Sequence, residues 1–284
     1  MKTFYTRAIT AVFFGITVIF SISYHEVSYL LLSLIILIGC LFEFYKISNP
    51  LFKKDGQKSN FFKFISYSLG IFYFLMFYLV SKNFLNNKVL FLIPVLTSVY
   101  FIIELFLKSK NPFRNIGINL LALFYIVLPL SMIHFIGFYQ NQFTGSIVLG
   151  ILFIIWGNDT GAYIIGSLIG KNKLLPHVSP NKSIEGFIGG GLFCFLVAYL
   201  NINWFPKIPL FESMQLINPN VWYLIGLATF LFATIGDLVE SLLKRSLGIK
   251  DSGSILPGHG GFLDRFDAFL FVIPFVLAVI MLFN

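Results

Sequence analysis

The chain has 284 residues, 57% of them hydrophobic and only 11% charged, with a formal net charge of +8. A water-soluble domain of this length needs a mostly polar outer face, and this composition cannot supply one. A transmembrane β-barrel would need short alternating segments, which are absent, and in a membrane protein the positive charge is accounted for by topology and anionic headgroups without any nucleic acid.

Nine apolar runs follow in chain order: about 8–23, 28–45, 61–81, 89–107, 117–137, 145–166, 186–204, 221–243 and 267–283. Each is about long enough to cross a ~30 Å hydrocarbon core as a helix of ~20 residues. The expected fold is therefore all-α: a polytopic integral-membrane helical bundle of about nine transmembrane helices. It forms one membrane domain over 1–284, with helices of 1–140 for packing or dimerisation and catalytic helices and loops in 145–284. Lys2 and Arg7 precede the first run, and Ser21-Ile22-Ser23 resembles a cleavage site; an uncleaved helix is expected, because the next run follows almost at once. The two cysteines, Cys40 and Cys194, both fall inside apolar runs, so no disulfide framework is expected. The 36 phenylalanines read as lipid-facing and packing residues.

A cytosolic N-terminus puts most of the positive charge on one side. The inside then holds Lys2 and Arg7, then Lys46, Lys53, Lys54, Lys58 and Lys63, then Lys108, Lys110 and Arg114. It also holds Lys171, Lys173 and Lys182 in one later loop and Lys244, Arg245, Lys250 and Arg265 in the other. Only Lys82, Lys88 and Lys207 stay outside, the bias the positive-inside rule demands. The bias survives without the two later loops, about 167–185 and 244–266, which it places together on the cytosolic side.

The sixth run carries the first chemistry. In Trp156-Gly-Asn-Asp-Thr-Gly-Ala-Tyr163, Asp159 sits among apolar residues and Tyr163 follows it one turn later on the same face. The loop after it runs through Gly170-Lys171 to Ser179-Pro-Asn-Lys-Ser-Ile-Glu-Gly186. Ser179, Lys182 and Ser183 can donate to phosphate oxygens, and Glu185 can orient a base or hold a metal. A plainer reading makes Ser-Pro-Asn a turn and Ser183 a helix cap.

In the eighth run Asp237, Glu240, Ser241 and Lys244 fall at i, i+3, i+4 and i+7, along one face of an otherwise apolar helix. Ionisable groups at membrane depth are costly and mark function by default; the plainer alternative is a Glu240–Lys244 ion pair. The following stretch, Lys250-Asp-Ser-Gly-Ser-Ile-Leu-Pro-Gly-His-Gly-Gly-Phe-Leu-Asp-Arg-Phe-Asp267, combines glycines, acids and bases. Gly258, Gly260 and Gly261 let backbone N–H groups approach an anion. Asp264 and Asp267 lie one turn apart and suit Mg²⁺, which takes oxygen ligands and bridges to phosphates. Lys244, Arg245, Lys250 and Arg265 supply charge for a polyphosphate, and His259 either donates to phosphate or packs against the Pro-Gly turn. No P-loop, protein-kinase set or zinc spacing occurs.

Ser241-Leu-Leu-Lys-Arg245, Lys250-Asp251, His259-Gly-Gly261 and Asp264-Arg-Phe-Asp267 together resemble the signature of the phosphatidate cytidylyltransferase (CDP-diacylglycerol synthase) family. The Trp156…Asp159…Ala162-Tyr163 segment and the Ser179-Pro…Glu185-Gly186 element resemble it too. Asn181, Ile184 and Ser167 depart from it where Lys, Trp and Arg are common. The resemblance implies conversion of CTP and phosphatidate to CDP-diacylglycerol and pyrophosphate, Mg²⁺ dependence with a second cation left open, a helical membrane fold and a homodimer. It also implies a bacterial cytoplasmic (inner) membrane location, with the site facing the cytosol. On that basis Asp237, Asp264 and Asp267 are expected at the cation, with Lys182, Lys244, Arg245 and Arg265 at phosphates. Asp159 and Glu185 are expected at metal or ribose, and Ser179, Ser183, Ser241, Lys250, His259, Gly260 and Gly261 at substrate. Two other classes stay open: a CTP-dependent polyprenol or lipid kinase, and an ion-coupled transporter relaying ions through Asp159 and Asp237. A transporter calls for polar groups on both sides of the bilayer, whereas here they gather on one.

Overall fold

A computed structural model describes residues 2–52, 57–250, 252–253 and 260–284. Every apolar run of the sequence folds as helix. The first three are α1 (Lys2–Ser23), α2 (Glu26–Phe52) and α3 (Gln57–Ser81). The fourth is broken at Ser98 into a 3-10 turn (Asn87–Phe91), α4 (Leu92–Thr97) and α5 (Val99–Leu107). In the fifth, α6 (Pro112–Ala122) passes into α7 (Leu128–Gly137) through a π turn at Leu123–Val127. Pro129 explains that widening: it has no N–H to give the carbonyl one turn back, and its ring crowds that carbonyl. The last four helices are α8 (Gly145–Ile169), α9 (Ile184–Asn203), α10 (Pro219–Ser246) and α11 (Leu263–Phe283).

The protein is a predominantly helical, polytopic membrane bundle. Among the described residues eight helical stretches are long and apolar enough to cross a membrane, from Glu26–Leu51 to Leu263–Phe283. The remaining expected segment is α1, whose described apolar part, Val12–Ser23, is shorter. One small sheet interrupts the helices. β1 (Lys173–Leu175) and β2 (Ser179–Ser183) form an antiparallel hairpin, with Lys173 opposite Ser183 and Leu175 opposite Ser179. The loop at 167–185 is thus a hairpin and not only the turn that Ser-Pro-Asn suggests.

Helices α8 to α11 form two antiparallel hairpins, with α9 and α10 packed between α8 and α11. The α8–α9 seam is made by glycine. A Cβ on Gly161 would stand 2.7 Å from the Gly189 carbonyl oxygen, so the two backbones touch only because neither residue has a side chain. This seam brings the C-terminal half of α8 and the N-terminus of α9 to the same end as the C-terminus of α10 and the N-terminus of α11. The two loops that the charge distribution groups together lie at this end. The aliphatic and aromatic core runs on through α2, α3 and α7.

Candidate active site

Asp159 on α8 and Asp237 on α10 each lie about ten residues before their helix ends. At 1.5 Å per residue, that is about 15 Å into the bundle. They line one cavity of about 520 Å³, together with Lys182 from β2 and Ser241, Glu240 and Lys244 from α10. Asp264, Arg265 and Asp267 from α11 complete its polar wall. Four different elements therefore supply the charges, as the helix-face pattern of α10 and the paired acids of α11 lead one to expect. The opposite wall is apolar and comes from Phe14 and Val18 of α1 and Leu152, Ile155 and Trp156 of α8.

The charges are arranged as lysine–carboxyl pairs. Lys182 Nζ lies 2.6 Å from Asp237 Oδ2, with both side chains about a quarter exposed. Lys244 Nζ lies 2.7 Å from Asp264 Oδ1 and also pairs with Glu240, which is 1% exposed. The Glu240–Lys244 ion pair weighed from sequence is therefore present, but it opens onto the cavity and includes Asp264. Asp264 also accepts from the backbone N–H of Gly261 (2.9 Å) and of Ser252 (3.1 Å). Gly260, at φ +83°, makes the close approach to Asp264 that a side chain would obstruct.

A second cavity, of about 490 Å³, adjoins the first. The two share Asp159, Lys182 and Asp237, and the second is bounded by Tyr163, Ser167, Asn181, Ser183 and Thr234 among others. The Lys182–Asp237 pair thus stands in the wall between two spaces.

Other expected residues do other work. Ser183 Oγ accepts from Gly186 N at 3.1 Å and caps α9 while bordering the second cavity, which is the capping role that sequence allowed. Glu185 is spent on the preceding loop, accepting from the backbone N–H of Lys171 and Asn172 and from Asn172 Nδ2 at 2.8 Å. Arg245 lines neither cavity, and its Nη1 donates to the Ile249 carbonyl at 3.3 Å. Ser179 opens β2 and Lys250 is exposed beyond α10; neither lines either cavity. His259 lies outside the described residues.

Sequence reasoning missed Glu43. It is fully buried on α2, yet its carboxyl reaches the ends of the glycine-rich loop. The signal was present, since a lone acid in the apolar run 28–45 is an ionisable group at membrane depth. Phe14 and Val18 gave no signal at all, because an apolar residue facing a cavity looks like one facing lipid.

Among the described residues no group of three or more His, Cys, Asp or Glu side chains is set to hold a metal ion. The carboxyls still suit a hard cation in part. Asp159, Asp237 and Asp267 all line the first cavity. Mg²⁺ commonly takes only one or two protein carboxylates and completes its shell with water and substrate phosphates. Asp264, in contrast, is held by Lys244 and the loop amides.

Residues 5–283 match the sequence model of the Cytidylyltransferase family. A phosphatidate cytidylyltransferase of Staphylococcus aureus (strain COL) is 45% identical over 170 residues, 59% of this chain and 60% of that protein. Proteins of the same name from Staphylococcus haemolyticus (170 residues) and Staphylococcus epidermidis (171 residues) are each 43% identical, again over 59% of this chain and 60% of theirs. The similarity thus spans about 60% of the length of these curated relatives.

Proposed function

The chain belongs to the cytidylyltransferase family, and from that premise we propose that it joins CTP to phosphatidate, forming CDP-diacylglycerol and pyrophosphate. The observation that carries this reading is the shared wall. Two cavities of about 520 and 490 Å³ meet at Lys182 and Asp237, so two anionic substrates can be brought together across one charged pair.

In the proposed reaction a phosphate oxygen of phosphatidate attacks the α-phosphorus of CTP. The bond from that phosphorus to the bridging oxygen breaks, and pyrophosphate leaves with the electron pair. The nucleophile is already an anion near neutral pH, so no strong general base is required. The protein's task is to hold two mutually repelling groups in line and to neutralise charge. Lys182, Lys244 and Arg265 do this from the cavity walls, the two lysines exchanging carboxyl oxygens for phosphate oxygens. Asp237 and Asp267, joined by Asp264 once Lys244 turns to substrate, are the proposed holders of Mg²⁺, which when bound neutralises polyphosphate charge. Ser241 helps position the anions, Gly260 and Gly261 shape the loop that holds Asp264, and Asp159 borders both cavities. Arg245 and Glu185 act by shaping the loops around the site.

The same proposal places the protein in the bacterial cytoplasmic membrane as a homodimer. Its cavities open to the cytosol, where CTP arrives from water while the lipid enters laterally. The bias of basic residues toward one side supports that orientation, and the relatives come from bacteria. Purified protein given phosphatidate, CTP and Mg²⁺ is expected to yield CDP-diacylglycerol, identified by mass spectrometry. Absence of that product, with a polyprenol phosphorylated in its place, would overturn the reading.

A further inference from the structure

Among the described residues, the glycine-rich loop between α10 and α11 is hydrogen-bonded to the first half of the chain through the side chain of Glu43. Glu43 Oε2 on α2 accepts from Ser252 Oγ at 3.0 Å and from Leu263 N at 2.9 Å. Leu263 is the first residue of α11, and the N–H groups of a first turn have no partner within their own helix. Phe262, at the N-cap position, has no side chain able to accept from them. Glu43 therefore does from another helix what a capping Ser or Asp does locally.

The surroundings are shaped to this contact. A Cβ on Gly253 or Gly261 would run into the Glu43 carboxyl, so glycine on both sides of the loop admits it. One turn back on α2, Gly39 leaves room for the Phe262 ring, which stands 2.8 Å from where a Cβ would be. Glu43 and Ser252 are both buried. The residues pinned are those that orient Asp264: Ser252 N and Gly261 N donate to its carboxyl, and Leu263 precedes it.

We propose that Glu43 is a positioning residue for the transfer reaction, setting the place of Asp264 and the start of α11 through Ser252 and the Leu263 amide. It acts as a hydrogen-bond acceptor, without touching substrate. The catalytic half of the inference rests on the function proposed above; the docking half does not.

Two readouts separate them. Hydrogen exchange of the peptide carrying Ser252 to Asp264 reports docking whatever the protein catalyses. Glu43→Ala is expected to speed that exchange at least tenfold. It should also lower kcat at least tenfold while leaving KM for CTP within threefold. Glu43→Gln keeps a carbonyl oxygen for both donors and should restore exchange and kcat to within threefold of the parent. A purely structural role would lower yield and thermal stability without that split between kcat and KM. Parental exchange and kcat in Glu43→Ala, or a Glu43→Gln as impaired as Glu43→Ala, would overturn the proposal. If Glu43→Ala does not fold, Ser252→Ala removes one of the two links; a kcat at least threefold lower at unchanged KM supports the inference, and an unchanged kcat overturns it. Should the parent make no CDP-diacylglycerol, the proposed reaction fails, while the exchange comparison still decides whether Glu43 docks the loop.

Discussion

Two regions of this molecule bury polar side chains in an otherwise apolar bundle, and they do it in opposite ways. In the first half, Asn119 Oδ1 accepts from Tyr45 Oη (2.8 Å) and Ser66 Oγ (2.6 Å), and Tyr100 Oη donates to Ser66 at 3.0 Å. Asn115 Nδ2 extends the network to Glu104 at 2.9 Å. These groups are almost wholly buried and, Glu104 apart, are uncharged amides and hydroxyls. In the second half, lysines meet carboxyls beside a cavity, and the pairs remain partly exposed. A closed network built mainly of amides and hydroxyls holds helices together. An open charged one can exchange its internal partners for substrate. Depth in the membrane is therefore a weaker guide to function than charge next to a cavity.

The sharpest way to break this contrast is to remove charge from the open region. Asp237→Asn should cut turnover at least about a hundredfold, the scale for losing one aimed electrostatic group, with little change in the thermal midpoint in detergent. Lys182→Met should cost somewhat less, about ten- to a hundredfold in kcat/KM, because Lys244 and Arg265 still line the same cavity. The closed region should answer differently. Asn119→Leu strands the Tyr45 and Ser66 hydroxyls and should destabilise the fold by about 1–3 kcal/mol in thermal unfolding, while kcat of the folded protein stays within about twofold. The smallest effect is expected at Arg245, which bonds the Ile249 carbonyl outside the cavity. Arg245→Gln should lower kcat/KM by about threefold or less, under 1 kcal/mol of barrier. A hundredfold loss there would return Arg245 to the phosphates, where its sequence position first put it.

The contrast also explains what could be read before the structure was known. The apolar runs marked helix positions well, because a membrane span must satisfy its own backbone and be about twenty residues long. Asp237, Ser241 and Lys244 were legible because helical spacing puts them on one face of a single element. Glu43 was harder to place. It stands 209 residues from Ser252 in the chain, and no local spacing rule reaches that far. The hairpin at 173–183 was missed because Ser179-Pro-Asn181 carries turn chemistry, and only the facing segment Lys173–Leu175 makes it a strand. Glu185 and Arg245 make their contacts with the backbone of neighbouring loops, which spacing does not reveal. Charged side chains beside a site look alike in sequence whether they face the cavity or brace the backbone behind it.

The central claim is that cytidylyl, and not a terminal phosphate, passes to the lipid across the Lys182–Asp237 wall. It is tested most directly by where a label goes. The purified protein is given phosphatidate and Mg²⁺ with CTP labelled in parallel at the α- or the γ-phosphorus. Label from the α position should enter the lipid extract, and label from the γ position should leave as water-soluble pyrophosphate. Lipid that carries the γ label and none of the α label would contradict the account.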